Sequence, residues 1–214
     1  MSGAGAAAPA EAVPHARLGH DGGRHNGTDV SKRGQSTEGA RWRGSLGRCD
    51  LVVGPWGARF LGQHLPCSIG RGGIVPLTEK REGDGATPAG IWRLTALYVR
   101  PDRLAAPPTC LPLRPLGPRT GWAEDPADPA YNGPVLHPHP FAADAMRRGD
   151  GLYDLCAVTN HNTDPVVPGA GSAIFVHVWR RPRYPTAGCV AFRRDDLIWI
   201  LARWSVTARL VIRP

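Results

Sequence analysis

The chain has 214 residues, of which 42% are hydrophobic, and this is enough for one domain of ordinary size with a buried core. Its 27 glycines and 22 prolines argue against a helical bundle, because both residues are costly inside helices. The formal charge of +8 is spread along the chain without a recognised nucleic-acid-binding motif, so nucleic acid is not predicted as a partner.

The chain begins with a segment of unusual composition. Residues 1–47 are rich in Gly, Ala, Ser, His and Arg and have almost no apolar periodicity, which predicts a disordered N-terminal tail before a folded domain at 48–214. No secretory signal is visible, since the run from Ala4 to Ala12 is weakly apolar and is broken by Pro9. No segment approaches the ~20 apolar residues that a membrane-spanning helix needs.

From Cys49 onward, short β-branched and aromatic runs alternate with Gly- and Pro-rich connections, which predicts a mainly-β domain. The connections 105–118 and 124–140 are expected to be irregular. Apolar residues at 197, 198, 200, 201 and 204 follow one helical face, so a single clear helix is predicted at 193–204, near the C-terminus. The predicted strands are 51–53, two short strands within 59–70, and 91–99, 152–158, 173–179 and 210–213.

A histidine and a cysteine stand out in the stretch 171–192. A predicted strand carries His177, and the small-residue turn Thr186-Ala187-Gly188 leads into Cys189. An imidazole within hydrogen-bonding reach can take a thiol proton and hold an ion pair, which lowers the thiol pKa from ~8.5. Gly188 permits a tight turn whose N–H groups are free to face an oxyanion. A buried histidine beside an inert core cysteine fits this spacing equally well.

The other cysteines and histidines give no metal-site pattern. No C-x-x-C pair is present among the five cysteines, and Cys156 lies in an apolar run that predicts a core position. His137, His139 and His161 have no carboxylate or cysteine at helpful spacing, so neither a metal nor another cofactor is predicted.

Three elements resemble those of L,D-transpeptidase (YkuD-type) catalytic domains. T-P-A-G-I-W at 87–92 resembles the family's T-P-x-G-x-[FW] element, I-F-V-H at 174–177 its histidine strand, and T-A-G-C-V at 186–190 its [ST]-H-G-C nucleophile motif. The resemblance covers about residues 50–213. It implies a β-sandwich-like fold of mixed sheets and cysteine-dependent acyl transfer on peptidoglycan stem peptides through a thioester, in cell-wall cross-linking or remodelling.

By this resemblance Cys189 is the nucleophile and His177 the base, while Thr186, Ala187 and Gly188 shape the oxyanion and orientation region. Ala187 stands where the family usually has a second histidine. Another group is therefore expected to orient His177, and a backbone carbonyl suffices because it needs only to accept the ring N–H.

Substrate recognition is also expected to differ, because Ala191-Phe192 stands where many members have an arginine or asparagine. Arg180, Arg181 and Arg183, in the loop between the histidine and the cysteine, are candidates for binding a substrate carboxylate, with Arg180 and Arg183 preferred. Tyr184 and Trp122 are candidates for further substrate contacts, although core packing is the commoner use of such aromatic residues. A solvated basic loop is the alternative interpretation of these arginines.

Two other functions remain open at this level. Water as the acyl acceptor would make the chain an L,D-carboxypeptidase or cross-link hydrolase, and loss of the second motif histidine would suit a non-catalytic wall-binding module. The family implies a location in the cell envelope or periplasm, which the absence of a visible signal peptide does not support. The sequence gives no indication of oligomeric state.

Overall fold

The computed structural model describes residues 45–214. The predicted tail at 1–47 therefore lies outside the described residues, except for its last three positions. In chain order the strands are β1 Leu51–Gly54, β2 Gly57–Phe60, β3 Gln63–Leu65, β4 Cys67–Ser68, β5 Ile74–Val75, β6 Thr87–Pro88, β7 Gly90–Trp92, β8 Leu94–Val99, β9 Leu113–Pro115, β10 Thr120–Ala123, β11 Pro134–Leu136, β12 Ala143–Ala145, β13 Leu155–Thr159, β14 Phe175–Val178, β15 Val190–Phe192 and β16 Leu210–Ile212; the helix α1 is Arg194–Ala202.

Two mixed sheets form the body of the domain. One has the strand order β4-β15-β14-β13-β8-β9, and the other has the order β3-β2-β1-β16-β7. Side chains of both sheets and of α1 share one hydrophobic core, in which Phe60, Phe192 and Leu197 are fully buried. The prediction of a mainly-β fold of mixed sheets with one helix near the C-terminus is confirmed.

The six-stranded sheet separates two hydrophobic clusters, because successive residues of a strand point to opposite faces. On β14, Val176 and Val178 belong to the large core shared with the other sheet. Phe175 belongs to a smaller cluster, which also contains Trp122 and Cys156. His177 lies two residues after Phe175 on the same strand and therefore projects from the face of the smaller cluster.

The helix α1 is shorter than predicted by one residue at its start and two at its end. Leu197, Ile200 and Leu201 are fully buried, which stabilises the fold by about 1.5–3 kcal/mol for each side chain. Asp195 and Asp196 lie in the first turn, where the helix dipole favours negative charge. In the part of the chain that the structure describes, no helix has the length and apolar character to cross a membrane.

The connections expected to be irregular contain strands. β9 pairs with β8 and forms one edge of the six-stranded sheet, and β11 pairs with β10 in a separate three-stranded sheet that also contains β12. These strands have three residues each and are mostly exposed, so their sequences lack the alternation of buried and exposed residues that identifies a strand. Glu124 follows β10 of this small sheet, and Asp144 lies within β12.

Candidate active site

The sheet brings His177 and Cys189 to one face. β14 and β15 are parallel, with Val176 opposite Val190 and His177 opposite Ala191, so Cys189 lies beside Phe175. The backbone N–H of Phe175 donates a hydrogen bond of 3.4 Å to Cys189 Sγ. Since alternate residues share a face, the imidazole and the thiol both project into the cleft that is described below.

The turn before Cys189 is held by two threonines. Thr186 Oγ1 donates to the carbonyl of Cys189 at 2.6 Å and accepts the N–H of Gly188 at 3.1 Å. Thr87 Oγ1, fully buried, donates to the carbonyl of Gly188 at 2.8 Å and accepts the N–H of Gly70 at 2.8 Å. The prediction that the Gly188 N–H is free to face an oxyanion is therefore wrong, because this N–H donates its hydrogen bond to the Thr186 hydroxyl.

Gly188 is required at its position for a structural reason. Its φ of +141° is a value that residues with a side chain rarely adopt. A Cβ at this position would lie 3.0 Å from the carbonyl oxygen of Ala86 and 3.2 Å from the side chain of Ile174. The glycine thus lets the turn pack against the 86–88 segment and brings Cys189 into the strand.

The Cys189 thiol is neutral at rest. The residue is 8% exposed, and Sγ donates a hydrogen bond of 3.1 Å to the carbonyl of Ala173. Burial raises the pKa of the Cys189 thiol to about 12, and the nearby carboxylates of Asp144 and Glu124 add to this increase. The sequence-based prediction of a thiolate–imidazolium ion pair is therefore wrong for the resting site.

The imidazole of His177 is also neutral and has a defined tautomer. Nδ1 lies 2.8 Å from the carbonyl of Val178, which can only accept, so Nδ1 carries the proton and Nε2 the lone pair. Burial lowers the pKa of His177 to about 4. Nε2 is buried and has no hydrogen-bond partner among residues 45–214. A backbone carbonyl thus orients the ring, as predicted from the absence of a second motif histidine.

Both side chains line one cleft of about 580 Å³. Its wall carries the basic residues Arg71, Lys80, Arg148 and Arg180 and the acidic residues Glu82, Glu124 and Asp144. Tyr153 also lines the cleft and packs edge-on against the His177 ring, with 5.2 Å between ring centroids. A thiol and an unpartnered imidazole nitrogen on residues of one cleft are the groups that nucleophilic catalysis by cysteine requires.

Comparison with known families is consistent with this chemistry. The family model described as the YkuD L,D-transpeptidase catalytic domain matches residues 59–212. The chain belongs to this family. Neither the curated proteins nor the solved structures include a significant match. The YkuD match supports L,D-transpeptidase-type catalysis on peptidoglycan in general, and it includes every residue of the site described above.

The YkuD domain places only some of the predicted substrate-binding residues in the cleft. Arg180 and Tyr184 line it, with the guanidinium 5.8 Å from the tyrosine ring centroid. Arg183 is exposed and lies outside the cleft lining. Trp122 is 5% exposed, donates from Nε1 to Asn132 Oδ1 at 3.1 Å and packs edge-on against Phe175. It therefore belongs to the core, and the prediction that it contacts substrate is wrong.

The turn residues preceding the cysteine also divide between cleft and interior. Thr186 and Ala187 line the cleft, whereas Gly188 is buried behind it. Cys156 is fully buried opposite His177 on β13, which confirms its predicted core position.

The three histidines considered as metal ligands have separate roles. His139 Nε2 lies 2.6 Å from Asp128 Oδ2, and His161 Nε2 donates to the carbonyl of Ala170 at 3.2 Å. His137 contributes its carbonyl to the side chain of Arg119. Within residues 45–214, no three His, Cys, Asp or Glu side chains converge in a group that could hold a metal ion.

Several site residues were missed from the sequence. In the sequence, Thr87 is visible only as part of the T-P-A-G-I-W element, although its hydroxyl connects that element to the turn before Cys189. Arg71, Glu124 and Asp144 lie in or beside connections of weak pattern, and no local signal marks them. Only the tertiary structure brings them to the same cleft as the cysteine.

Proposed function

We propose that this YkuD domain is an L,D-transpeptidase that acts on peptidoglycan stem peptides in the cell envelope, with Cys189 as nucleophile and His177 as general base. One observation supports this most strongly. Cys189 and His177 line the same cleft, and the hydrogen bond from Nδ1 to the Val178 carbonyl leaves the lone pair on Nε2, which has no partner among residues 45–214, free to accept a proton.

The pKa values determine how the nucleophile is activated. Because the thiol pKa is about 12 and the imidazole pKa about 4, the ion pair is strongly unfavourable before substrate binds. The proton therefore moves from Sγ to Nε2 as Sγ bonds to the carbonyl carbon, without accumulation of free thiolate. Imidazolium then gives this proton to the leaving amine as the peptide C–N bond breaks, which leaves an acyl thioester on Cys189.

The second half-reaction reverses these roles. An acceptor amine attacks the thioester carbon, and Nε2 of His177 takes a proton from the attacking nitrogen. The C–S bond breaks, and the proton passes to Sγ to restore the neutral thiol. We assign the oxyanion position to the backbone N–H groups of Ala187 and Cys189. Ala187 lines the cleft, and its N–H makes no hydrogen bond to a described residue.

The test is incubation with purified tetrapeptide-stem muropeptides and a free D-amino acid, followed by mass spectrometry. We expect an exchanged or cross-linked product from the wild type and from Cys110→Ala, an exposed-thiol control, but none from Cys189→Ala. Intact-protein mass should show the thioester adduct on the wild type.

Other outcomes would point elsewhere. Loss of the terminal residue that depends on Cys189 but gives no exchange would indicate a carboxypeptidase or cross-link hydrolase. Binding of the muropeptide with no product from any variant would indicate a wall-binding module.

A further inference from the structure

One carboxylate in the cleft has no partner. Glu124 is partly buried, and its side chain makes no hydrogen bond or ion pair within the described part of the chain. The other two acidic residues of the cleft are engaged. Glu82 accepts a hydrogen bond from the hydroxyl of Tyr131, and Asp144 accepts one of 2.9 Å from Tyr153. Glu124 is thus the one of the three whose oxygens remain open to a ligand.

Other unsatisfied groups face the same space. Ser172 and His177 line the cleft and are 6% and 4% exposed. Ser172 Oγ and His177 Nε2 have no hydrogen-bond partner among residues 45–214. Buried polar atoms are normally paired, because leaving one unpaired costs about 1–3 kcal/mol. Unpaired polar atoms on two residues that line an open cleft therefore indicate a site shaped for a polar ligand.

The charges around the cleft indicate whether that ligand is cationic or anionic. Burial and the neighbouring carboxylates of Asp144 and Glu82 raise the pKa of Glu124 to about 7. Most basic residues of the cleft lie closest to carboxylates outside it: Lys80 to Asp84 at 2.5 Å, Arg148 to Asp150 at 2.8 Å and Arg180 to Asp150 at 3.6 Å. Arg148 also lies 3.7 Å from Asp144, so Asp144 has a cationic neighbour, whereas Glu124 makes no ion pair within the described residues. Arg71 is exposed at the rim. A cation bound at Glu124 would relieve the repulsion among the three carboxylates.

We propose that Glu124, with Asp144 beside it, binds a primary ammonium group of the peptidoglycan substrate and so determines which stem peptides or amines the cleft accepts. This rests on the proposed function and names the chemical class that the same site selects. A bound ammonium also favours catalysis, because it offsets two negative charges that oppose loss of the Cys189 proton as Sγ attacks. Substrate binding and activation of the nucleophile are coupled in this way.

The ammonium group has two possible sources, the side chain of a diamino acid in the donor stem or the amine of the acceptor. Binding is measured in the Cys189→Ala protein by NMR titration, so that no turnover occurs. Two matched pairs of probes separate the sources: N-acetyl stem tripeptides with lysine or norleucine at the third position, and D-alanine against D-lactate.

We expect the amine probe of at least one pair to bind ~10-fold or more tightly than its neutral partner, as for a hydrogen bond to a charged group. Glu124→Gln should abolish that preference, whereas Glu79→Gln, an exposed glutamate outside the cleft, should retain it. The preference should also grow from pH 6 to pH 8 as Glu124 ionises, a response that a purely structural residue would not produce.

Several results would overturn the inference. These are equal binding within both pairs, a preference that survives Glu124→Gln, and no binding of any probe at tens of millimolar. A preference that depends on Glu124, in a wild-type protein that forms no Cys189-dependent product, would instead leave this ammonium site standing while the proposed transpeptidase function fails.

Discussion

Thr87 connects the T-P element to the turn before the candidate nucleophile, and Thr87→Val tests how much that connection contributes. Valine has nearly the same shape as threonine but lacks the hydroxyl. The substitution leaves the Gly70 N–H and the Gly188 carbonyl without the two 2.8 Å hydrogen bonds that Thr87 makes in a fully buried position. Each buried group left unpaired costs about 1–3 kcal/mol, so we expect a loss of about 2–6 kcal/mol in the free energy of unfolding for the two groups together.

The assay is urea denaturation followed by tryptophan fluorescence, with Thr87→Ser and Thr95→Val as controls. Thr87→Ser keeps the hydroxyl and should lose much less stability. Thr95→Val removes a single hydrogen bond of 3.2 Å, to the carbonyl of Val158 in a part-buried position, and should cost about 0.5–1.5 kcal/mol. The Gly188 carbonyl directly precedes Cys189. Turnover by Thr87→Val should therefore fall even without urea, at a temperature where the protein is fully folded.

The reasoning about Thr87 would be refuted by a Thr87→Val protein whose stability and turnover match those of Thr87→Ser. That result would mean that water or a shifted backbone satisfies both groups. The turn before Cys189 would then be held by Thr186 alone.

Three further predictions follow from the geometry of the site. Gly188→Ala should lower the melting temperature more than Gly62→Ala, because both glycines have positive φ but only the new Cβ at Gly188 meets a backbone oxygen at 3.0 Å; equal losses would leave the close approach without consequence. Alkylation of Cys189 by iodoacetamide should speed up about tenfold for each pH unit from 7 to 10, since a thiol with a pKa of about 12 is almost wholly protonated across that range; a plateau near pH 8 would contradict this. Nitrogen-15 NMR of labelled histidine should find His177 as the neutral Nδ1–H tautomer at pH 7, with protonation only near pH 4, and a protonated ring at pH 6 would show that burial does not control this group.

Much of the fold and part of the site are accessible from the sequence, because their signals are local. β-branched runs bounded by Gly and Pro identify the main strands, and the helical spacing of Leu197, Ile200 and Leu201 identifies α1. A strand histidine, a turn cysteine twelve residues later and the T-P-A-G-I-W element together indicate the YkuD family. The family model, which matches residues 59–212, then shows that the chain belongs to it. Such signals can be read from the sequence because burial of one face of a strand or helix gives a periodic pattern of apolar residues.

The protonation state of the candidate pair, Cys189 and His177, was decided by tertiary structure alone. Spacing suggests that an imidazole and a thiol meet, but it contains no information about water access. Only the packed sheet shows that both groups are buried, which keeps the thiol of Cys189 and the ring of His177 neutral. The acceptor for the ring N–H, the Val178 carbonyl, likewise depends on backbone geometry that side-chain identities do not encode.

The cleft wall illustrates the same division. Glu124 follows the central strand of the small sheet and Asp144 lies in β12, one of its two edge strands, which carry no readable pattern. Thr87 is 101 residues away in sequence from the Gly188 carbonyl to which it donates. Desolvation and Coulomb interactions depend on distances in space, and long-range pairing creates those distances. Sequence by itself therefore determined the class of fold and identified Cys189 and His177 as the candidate reactive pair. The tertiary structure decided their protonation, their orientation and the charges that surround a bound substrate.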